Sequence, residues 1–226
     1  MSPLPHRTKM DLVWSPEMAS KAFIDTVNTC KKFQQSDEAE MISAMAGGWN
    51  PRLIVETWSG GSEITTSIGL EIVARNLGGR YVCIIQNESL RSEYVAAMEK
   101  HELPVPELMV GEAKEVMARL PEVEFMVVDG RRKDLHELFG VAKLSHRGAV
   151  LLCKNATRRR LVGFRWELVI GKKVRLVKSV IIPVGQGLKI AYVKENREYE
   201  KSPSKNHSRW ITRIDRKTGE EHVFRG

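Results

Sequence analysis

Apolar positions along this chain switch repeatedly between two spacings. Ser15-Pro16-Glu17 reads as an N-cap, a first-position proline and a first-turn acid. After it Ala19, Phe23, Val27, Cys30 and Phe33 recur at three- and four-residue steps, one face of a helix. A shorter helix is expected from about Asp37 to Ala46, stopped by Gly47-Gly48. After Pro51, Leu53-Ile54-Val55 is a compact apolar run of buried-strand length. Ile64, Ile68 and Ile72 then stack in a helix from about Ser62 to Leu77, ended by Gly78-Gly79. The cycle repeats as a strand over Tyr81 to Ile85 and a helix capped by Ser89 and running to Lys100. Val105 to Val110 is a strand that Pro106 makes start late, and Glu112 to Leu120 is a helix. Phe125 to Val128, Arg132 to Leu144 and Ala149 to Leu152 complete the series as strand, helix and strand. Five apolar runs separated by helices predict a parallel sheet covered on both faces, doubly wound because crossovers are right-handed.

The last third changes character. Leu161 to Ile170 and Val174 to Pro183 are rich in β-branched residues, and Gly185-Gln186-Gly187 precedes the apolar run Leu188 to Val193. Such runs joined by a glycine turn predict an antiparallel hairpin closing the sheet, with the pair between about Val174 and Val193. The expected class is therefore α/β, a Rossmann-like doubly wound sheet of seven strands, mostly parallel with a C-terminal antiparallel hairpin. Residues 1–11 are expected to be a flexible N-terminus, 12–193 the α/β domain and 194–226 a basic polar tail. Within that tail Lys201-Ser202-Pro203-Ser204-Lys205 has no periodicity and is expected to be mobile.

Charge sharpens the division. The 226 residues carry a formal +8, yet through Cys153 there are 17 Lys and Arg against 21 Asp and Glu, and from Lys154 there are 19 against 7. All the excess basicity therefore sits in the last third, as a basic face or tail on an acidic body. Arg158-Arg159-Arg160 and Lys172-Lys173, with Trp210 among Lys205, Arg209 and Arg213, would form a surface for nucleic acid, anionic membrane or an acidic partner. No nucleic-acid-reading motif accompanies them, and cations guarding an edge strand is the simpler reading. No run approaches the ~18 apolar residues of a membrane span. The start lacks the apolar core of a secretion signal, so a cytoplasmic, or nuclear, protein is expected. Cys30, Cys83 and Cys153, odd in number and in apolar surroundings, read as buried reduced thiols.

Ligands of open α/β sheets bind beyond the carboxyl ends of the strands. Here those ends are Glu56-Thr57-Trp58-Ser59-Gly60-Gly61-Ser62, Gln86-Asn87-Glu88, Gly111-Glu112-Ala113 and Asp129-Gly130-Arg131. Glycines let a backbone approach a ligand, and an acid ending the second strand can accept ribose hydroxyls. Other chemistries lack their motifs. There is no Gly-x-Gly-x-x-Gly, no Gly-x-x-x-x-Gly-Lys-Ser/Thr and no Gly-x-Ser-x-Gly, and the six histidines show no zinc-ligand spacing.

At Leu12-Val13-Trp14-Ser15-Pro16-Glu17, Gly48-Trp49-Asn50, Leu53 to Ser59 and Arg91-Ser92-Glu93-Tyr94 the sequence closely resembles a plant family of uncharacterised proteins, domain of unknown function 1442. That family is classed with S-adenosylmethionine-dependent methyltransferases of class I. The order of elements, with the turn Val184-Gly185-Gln186-Gly187-Leu188, is more distantly similar to small-molecule O-methyltransferases of the caffeoyl-coenzyme A and catechol type. The resemblance implies S-adenosyl-L-methionine as cofactor. Glu56, Thr57, Trp58, Ser59, Gly60 and Gly61 would approach its methionine part, and Glu88 or Asn87 would meet the ribose. Glu112 and Ala113 would lie by the adenine, and Asp129 beside the reacting centre. Asp129 or Lys154 would serve as catalytic base.

The departures carry information too. Active relatives have Glu/Asp-x-Gly-x-x-x-Gly after the first strand, where Trp58 replaces the first glycine here. Metal-dependent relatives place Asp-Ala-Asp and Asp-Asn where this chain has Asp129-Gly130-Arg131 and Lys154-Asn155. Two carboxylates have become cations, so no metal is expected. Two readings follow: a metal-independent methyltransferase-like protein acting on a small molecule, or a catalytically inactive module binding a macromolecule through its basic third.

Overall fold

Ser15 starts the first helix as its sequence requires. In the computed structural model its Oγ accepts a hydrogen bond from the Met18 N–H at 3.3 Å, and Pro16 opens α1 (Pro16–Cys30). The structure describes residues 14–34, 36–61, 63–157, 164–172, 174–196, 210–214 and 221–225. The stripe that α1 buries is Ala22, Thr26 and Cys30, and Phe23, expected on the inner face, is 41% exposed. The reason is how closely α2 (Asp37–Trp49) approaches. A Cβ on Gly47 would stand 2.5 Å from the Met18 carbonyl oxygen and 2.8 Å from Ala22 Cβ, so only small side chains fit between the helices. For the same reason Gly47-Gly48 does not stop α2. Asn50 does, in the left-handed conformation at φ 55, with its N–H returned to the Ala46 carbonyl.

The strands and helices then alternate as β1 (Leu53–Thr57), α3 (Thr65–Leu77), β2 (Arg80–Ile85), α4 (Glu88–Glu99) and β3 (Glu107–Val110). They continue as α5 (Ala113–Arg119), β4 (Phe125–Asp129), α6 (Leu135–Val141) and β5 (Ala149–Lys154). Asn87, not Ser89, caps α4, its side chain accepting from the Leu90 N–H at 3.0 Å. Because the strand ends at Ile85, Asn87 is the residue at the turn and Ser89 is already helical. The expected helix over Arg132 to Leu144 is shorter, starting only after Arg132 and Asp134 have paired. Leu161 to Ile170 is not strand where it is described. It holds α7 (Trp166–Val169), whose Trp166 packs against Phe139 and Phe164.

β6 (Val174–Ile182) and β7 (Leu188–Glu195) form the expected antiparallel pair, and β7 also lies antiparallel to β5. The seven strands run in the order β3-β2-β1-β4-β5-β7-β6. The strand order reverses between β1 and β4, so those two strands flank the switch point where ligands of such sheets bind. Two cores cover the sheet. Val55, Val82, Met126 and Leu151 face one with α5 and α6, and Ile54, Cys83, Val127 and Leu152 face the other with α1 to α4. All three cysteines are buried and free, and burial pushes Cys30 up to about 11 and Cys153 up to about 12, which leaves inert thiols.

A second compact unit begins at Asn196. It holds β8 (Trp210–Ile214) and β9 (Glu221–Arg225), paired antiparallel with Ile211 opposite Phe224. Strands were not expected there. Ile211, Ile214, Val223 and Phe224 supply β-forming positions among the charges. Residues 1–11, Arg158 to Arg160 and Lys201 to Lys205 lie outside the described residues. Among those described, no helix is long and apolar enough to cross a membrane.

Candidate functional site

Parallel pairing of β4 with β5 sets Asp129 beside Lys154 at the carboxyl end of the sheet. Asp129 is 2% exposed, and its Oδ1 accepts from the Arg131 backbone N–H at 2.8 Å and from Asn155 Nδ2 at 2.9 Å. Its Oδ2 accepts from Arg131 Nε at 2.8 Å. Burial by itself raises the Asp129 carboxyl, but the Arg131 hydrogen bonds and charge, with Lys154, outweigh it and hold the group below its usual range. The Gly130 N–H donates to the Lys154 carbonyl at 2.8 Å and ties the two strand ends together. Both Asp129 oxygens are thus committed to Arg131 and Asn155. That is the donor set of a stabilised carboxylate, not of a hard-cation ligand.

Lys154 reaches the other way. Its Nζ donates to Thr66 Oγ1 at 2.9 Å, and its side chain is only 9% exposed. Glu56 Oε1 and Glu38 Oε1 each stand 3.9 Å from Nζ, close enough for ion pairing but beyond hydrogen-bond distance. Beneath it lies a buried network. Glu56, 1% exposed, accepts at Oε2 from Ser67 Oγ at 2.6 Å and from the Tyr81 hydroxyl. Burial first, and the Glu56 charge second, push the Tyr81 hydroxyl well above its ordinary value, so it remains a donor.

Above Lys154 opens a cavity of about 680 Å³, lined among others by Glu38, Gly61, Thr66, Arg131, Lys154 and Gln186. That volume suits a small organic ligand. Glu38 comes from the first turn of α2, far from any strand end in sequence, and the sequence offered no signal for it. It enters because position 185 is glycine. Gly185 has φ +54, and a Cβ there would lie 2.7 Å from Glu38 Oε2. Of the sequence-expected residues, Gly61 and Lys154 line the cavity, and Asp129 orients the Arg131 that does.

The ends of β1, β2 and β3 are built differently. Trp58 is 2% exposed, its ring edge-on to Tyr94 at 5.3 Å, and its backbone N–H extends the pairing with β2 to the Ile84 carbonyl at 3.0 Å. The tryptophan therefore turns into the core and leaves the outer side of the loop to Ser59, Gly60 and Gly61. Gly60 packs tightly on α4, where a Cβ would meet Leu90 Cδ2 at 2.5 Å, whereas a Cβ on Gly61 would meet nothing within 4 Å. Thr57 Oγ1 is buried without a hydrogen-bond partner. Asn87, Glu88 and Glu112 are exposed and Ala113 is buried, and none of the four lines the cavity. Among the described residues no cluster of three or more His, Cys, Asp or Glu could hold a metal.

The family model described as protein of unknown function DUF1442 matches residues 10–226. The chain belongs to the DUF1442 family. Among curated proteins none matches it in sequence. Solved structures match in fold. The Podospora anserina methyltransferase PaMTH1, solved with SAH bound, is 14% identical at a TM-score of 0.56, covering 87% of this chain and 98% of its own. An O-methyltransferase from Bacillus cereus, in complex with SAH, is 18% identical at 0.53, covering 77% and 91%. TomG of Streptomyces achromogenes, an O-methyltransferase of tomaymycin synthesis solved with SAM, is 20% identical at 0.51, covering 81% and 92%. At these identities the likeness is one of fold, and the DUF1442 chain has the class I methyltransferase sheet order with its reversed last pair. What it does with that fold rests on its own strand ends.

Proposed function

We propose that this DUF1442 protein is an S-adenosylmethionine-dependent, metal-independent methyltransferase acting on a small molecule. The observation that carries the reading is the cavity of about 680 Å³ at the switch point, walled by the buried Lys154 and by Arg131, which Asp129 orients. The residues along β1 to β3 fit the cofactor. Gly61 presents open backbone, Thr57 has an unspent buried hydroxyl, and Glu88 at the start of α4 and Glu112 just before α5 offer exposed carboxylates. In this reading Glu56 to Gly61 hold the methionine half, with Glu56 and Trp58 acting from beneath the loop. Asn87 and Glu88 hold the ribose, and Glu112 with Ala113 flanks the adenine. The cofactor supplies an activated methyl group, and the protein's part is orientation and electrostatics. Lys154, with a donated hydrogen bond and two carboxylates around it, holds an oxygen of the acceptor as a cation. Asp129, pulled down and fully bonded, keeps Arg131 aimed into the cavity.

Calorimetry of the full chain with S-adenosylhomocysteine tests the proposal. Saturable binding unaffected by EDTA is expected, and neither heat nor a thermal shift at millimolar ligand would overturn it. A second reading, an inactive module that docks a macromolecule, draws on Val177, Val180 and Ile181, which leave β6 with exposed apolar side chains alongside Arg175 and Lys178.

A further inference from the structure

Three carboxylates feel the Lys154 ammonium, Glu56 and Glu38 from 3.9 Å and Asp129 through its charge at the neighbouring strand end, and they differ in what they have left to give. Glu56 is closed beneath the site with Oε2 bonded to Ser67 and Tyr81. Asp129 has both oxygens on Arg131 and Asn155. Glu38 alone of the three lines the cavity, with its side chain 20% exposed and its Oε1 standing 3.9 Å from Nζ without a hydrogen bond between them. Lys154 in turn has spent one N–H on Thr66, and its other contacts among the described residues are the two carboxylates at 3.9 Å. A half-open gap remains, with a donor on one wall and an acceptor on the other. The other acids on the cavity wall, Asp37 and Glu63, are exposed and pair with neither.

We propose that Glu38 is the general base of this site and that the acceptor is a hydroxyl compound whose oxygen sits between the Glu38 carboxylate and the Lys154 ammonium. The inference rests on the methyltransferase reading and names its substrate class. The acceptor O–H bond breaks and its proton passes to Glu38. The oxygen, held by Lys154, forms the new bond to the methyl carbon as the carbon–sulfur bond of the sulfonium donor breaks. The electron pair of that bond stays on sulfur, so positive charge leaves the donor as a proton is gained by the protein. A carboxylate suits the task better when its affinity for a proton is raised toward that of the acceptor. Burial raises Glu38 from its ordinary value, and Asp129 and Glu63 push the same way, while Lys154 and the Gln186 N–H pull it down without reversing the shift. Arg131 faces the same cavity and feels the Glu38 charge. Gly185 is what admits the carboxylate, since any side chain there would displace it.

The test uses the full chain saturated with S-adenosylhomocysteine and 4-nitrophenol as probe, because its ionised form absorbs visibly. At about pH 6 the free phenol is mostly neutral. The wild type is expected to bind it as the phenolate without releasing a proton to the buffer, read by absorbance and by calorimetry in two buffers of different ionisation heat. Glu38→Gln, the same shape without the base, is expected to bind the neutral phenol or to release close to one proton per phenolate bound. Glu38→Asp should keep part of the wild-type spectrum. Where methylation of the probe is followed, Glu38→Gln should lose on the order of 10²–10⁴-fold in rate and the fall in rate toward acid pH should vanish with it. Identical bound spectra and proton counts for wild type and Glu38→Gln, or no probe binding to a wild type that binds S-adenosylhomocysteine, would overturn the role of Glu38 while leaving the methyltransferase reading intact. Failure of S-adenosylhomocysteine to bind either protein would overturn both.

Discussion

The two halves of the strand-end rim follow opposite rules. At β2 and β3 the polar groups, Asn87, Glu88 and Glu112, stand in solvent, and Asn87 spends its side chain on capping α4. At β4 and β5 the polar groups are buried and bonded to one another, Asp129 to Arg131 and Asn155, and Lys154 to Thr66 between two glutamates. An exposed carboxylate costs the fold little and is free to meet a ligand. A buried charge must find its partners in the chain, so it is organised before any ligand arrives. The first half is therefore where binding is expected to be tuned without loss of stability, and the second is where stability and chemistry share residues.

The sharpest way to break this contrast is Lys154→Met, which keeps the volume and removes the charge. Glu56, buried beneath the site, and Glu38 would then lose the ammonium that stands 3.9 Å from each, at a cost of about 3–5 kcal/mol in denaturant unfolding. A change below about 1 kcal/mol would mean that the β5 end is not held together by its charges. On the other half, Glu88→Ala is expected to weaken S-adenosylhomocysteine by about 1.5–3 kcal/mol, as loss of a charge-assisted hydrogen bond does. Its effect on folding should stay within about 0.5 kcal/mol, because the side chain is exposed. Equal losses of binding and folding would show that the halves do not differ.

The smallest effect concerns acid. Asp129 is held below its unfolded value, so the stability it contributes is present above about pH 4 and is lost as pH falls through its folded value. Glu38 is raised, so its contribution runs the other way, full below its unfolded value and lost as pH rises through the folded one. Asp129→Asn should therefore flatten the loss of stability below about pH 4, whereas Glu38→Gln should flatten a gain at mildly acid pH. Melting temperatures across that range distinguish the two signs, and a steeper acid limb in Asp129→Asn would contradict the assignment.

Legibility in the sequence follows the same divide. Strand and helix alternation was readable because each apolar run is local, and so was the reversed final pair, marked by its β-branched residues and glycine turn. The strand-end loops were readable by position alone. Local misreadings were small in extent, such as the α4 cap shifted from Ser89 to Asn87, and the failures at the site and its supporting helices depend on partners distant in the chain. The inner face of α1 was misjudged because α2 approaches at Gly47 and admits Ala22 but not Phe23. Gly47-Gly48 looked like a stop because glycine often ends helices, yet here it is a contact surface. Trp58 stands where active relatives have a glycine, and sequence does not say that its ring turns under the loop to Tyr94. Glu38 could not be found at all, since its place depends on Lys154 and Gly185, each more than a hundred residues away.

A crystal structure of the full chain grown with S-adenosylhomocysteine tests the central claim most directly. The account predicts ligand over Gly60 and Gly61, its ribose hydroxyls on Glu88 and its sulfur facing the cavity between Glu38 and Lys154. Ligand bound elsewhere, or strand ends that stay unchanged and empty at millimolar concentration, would contradict it.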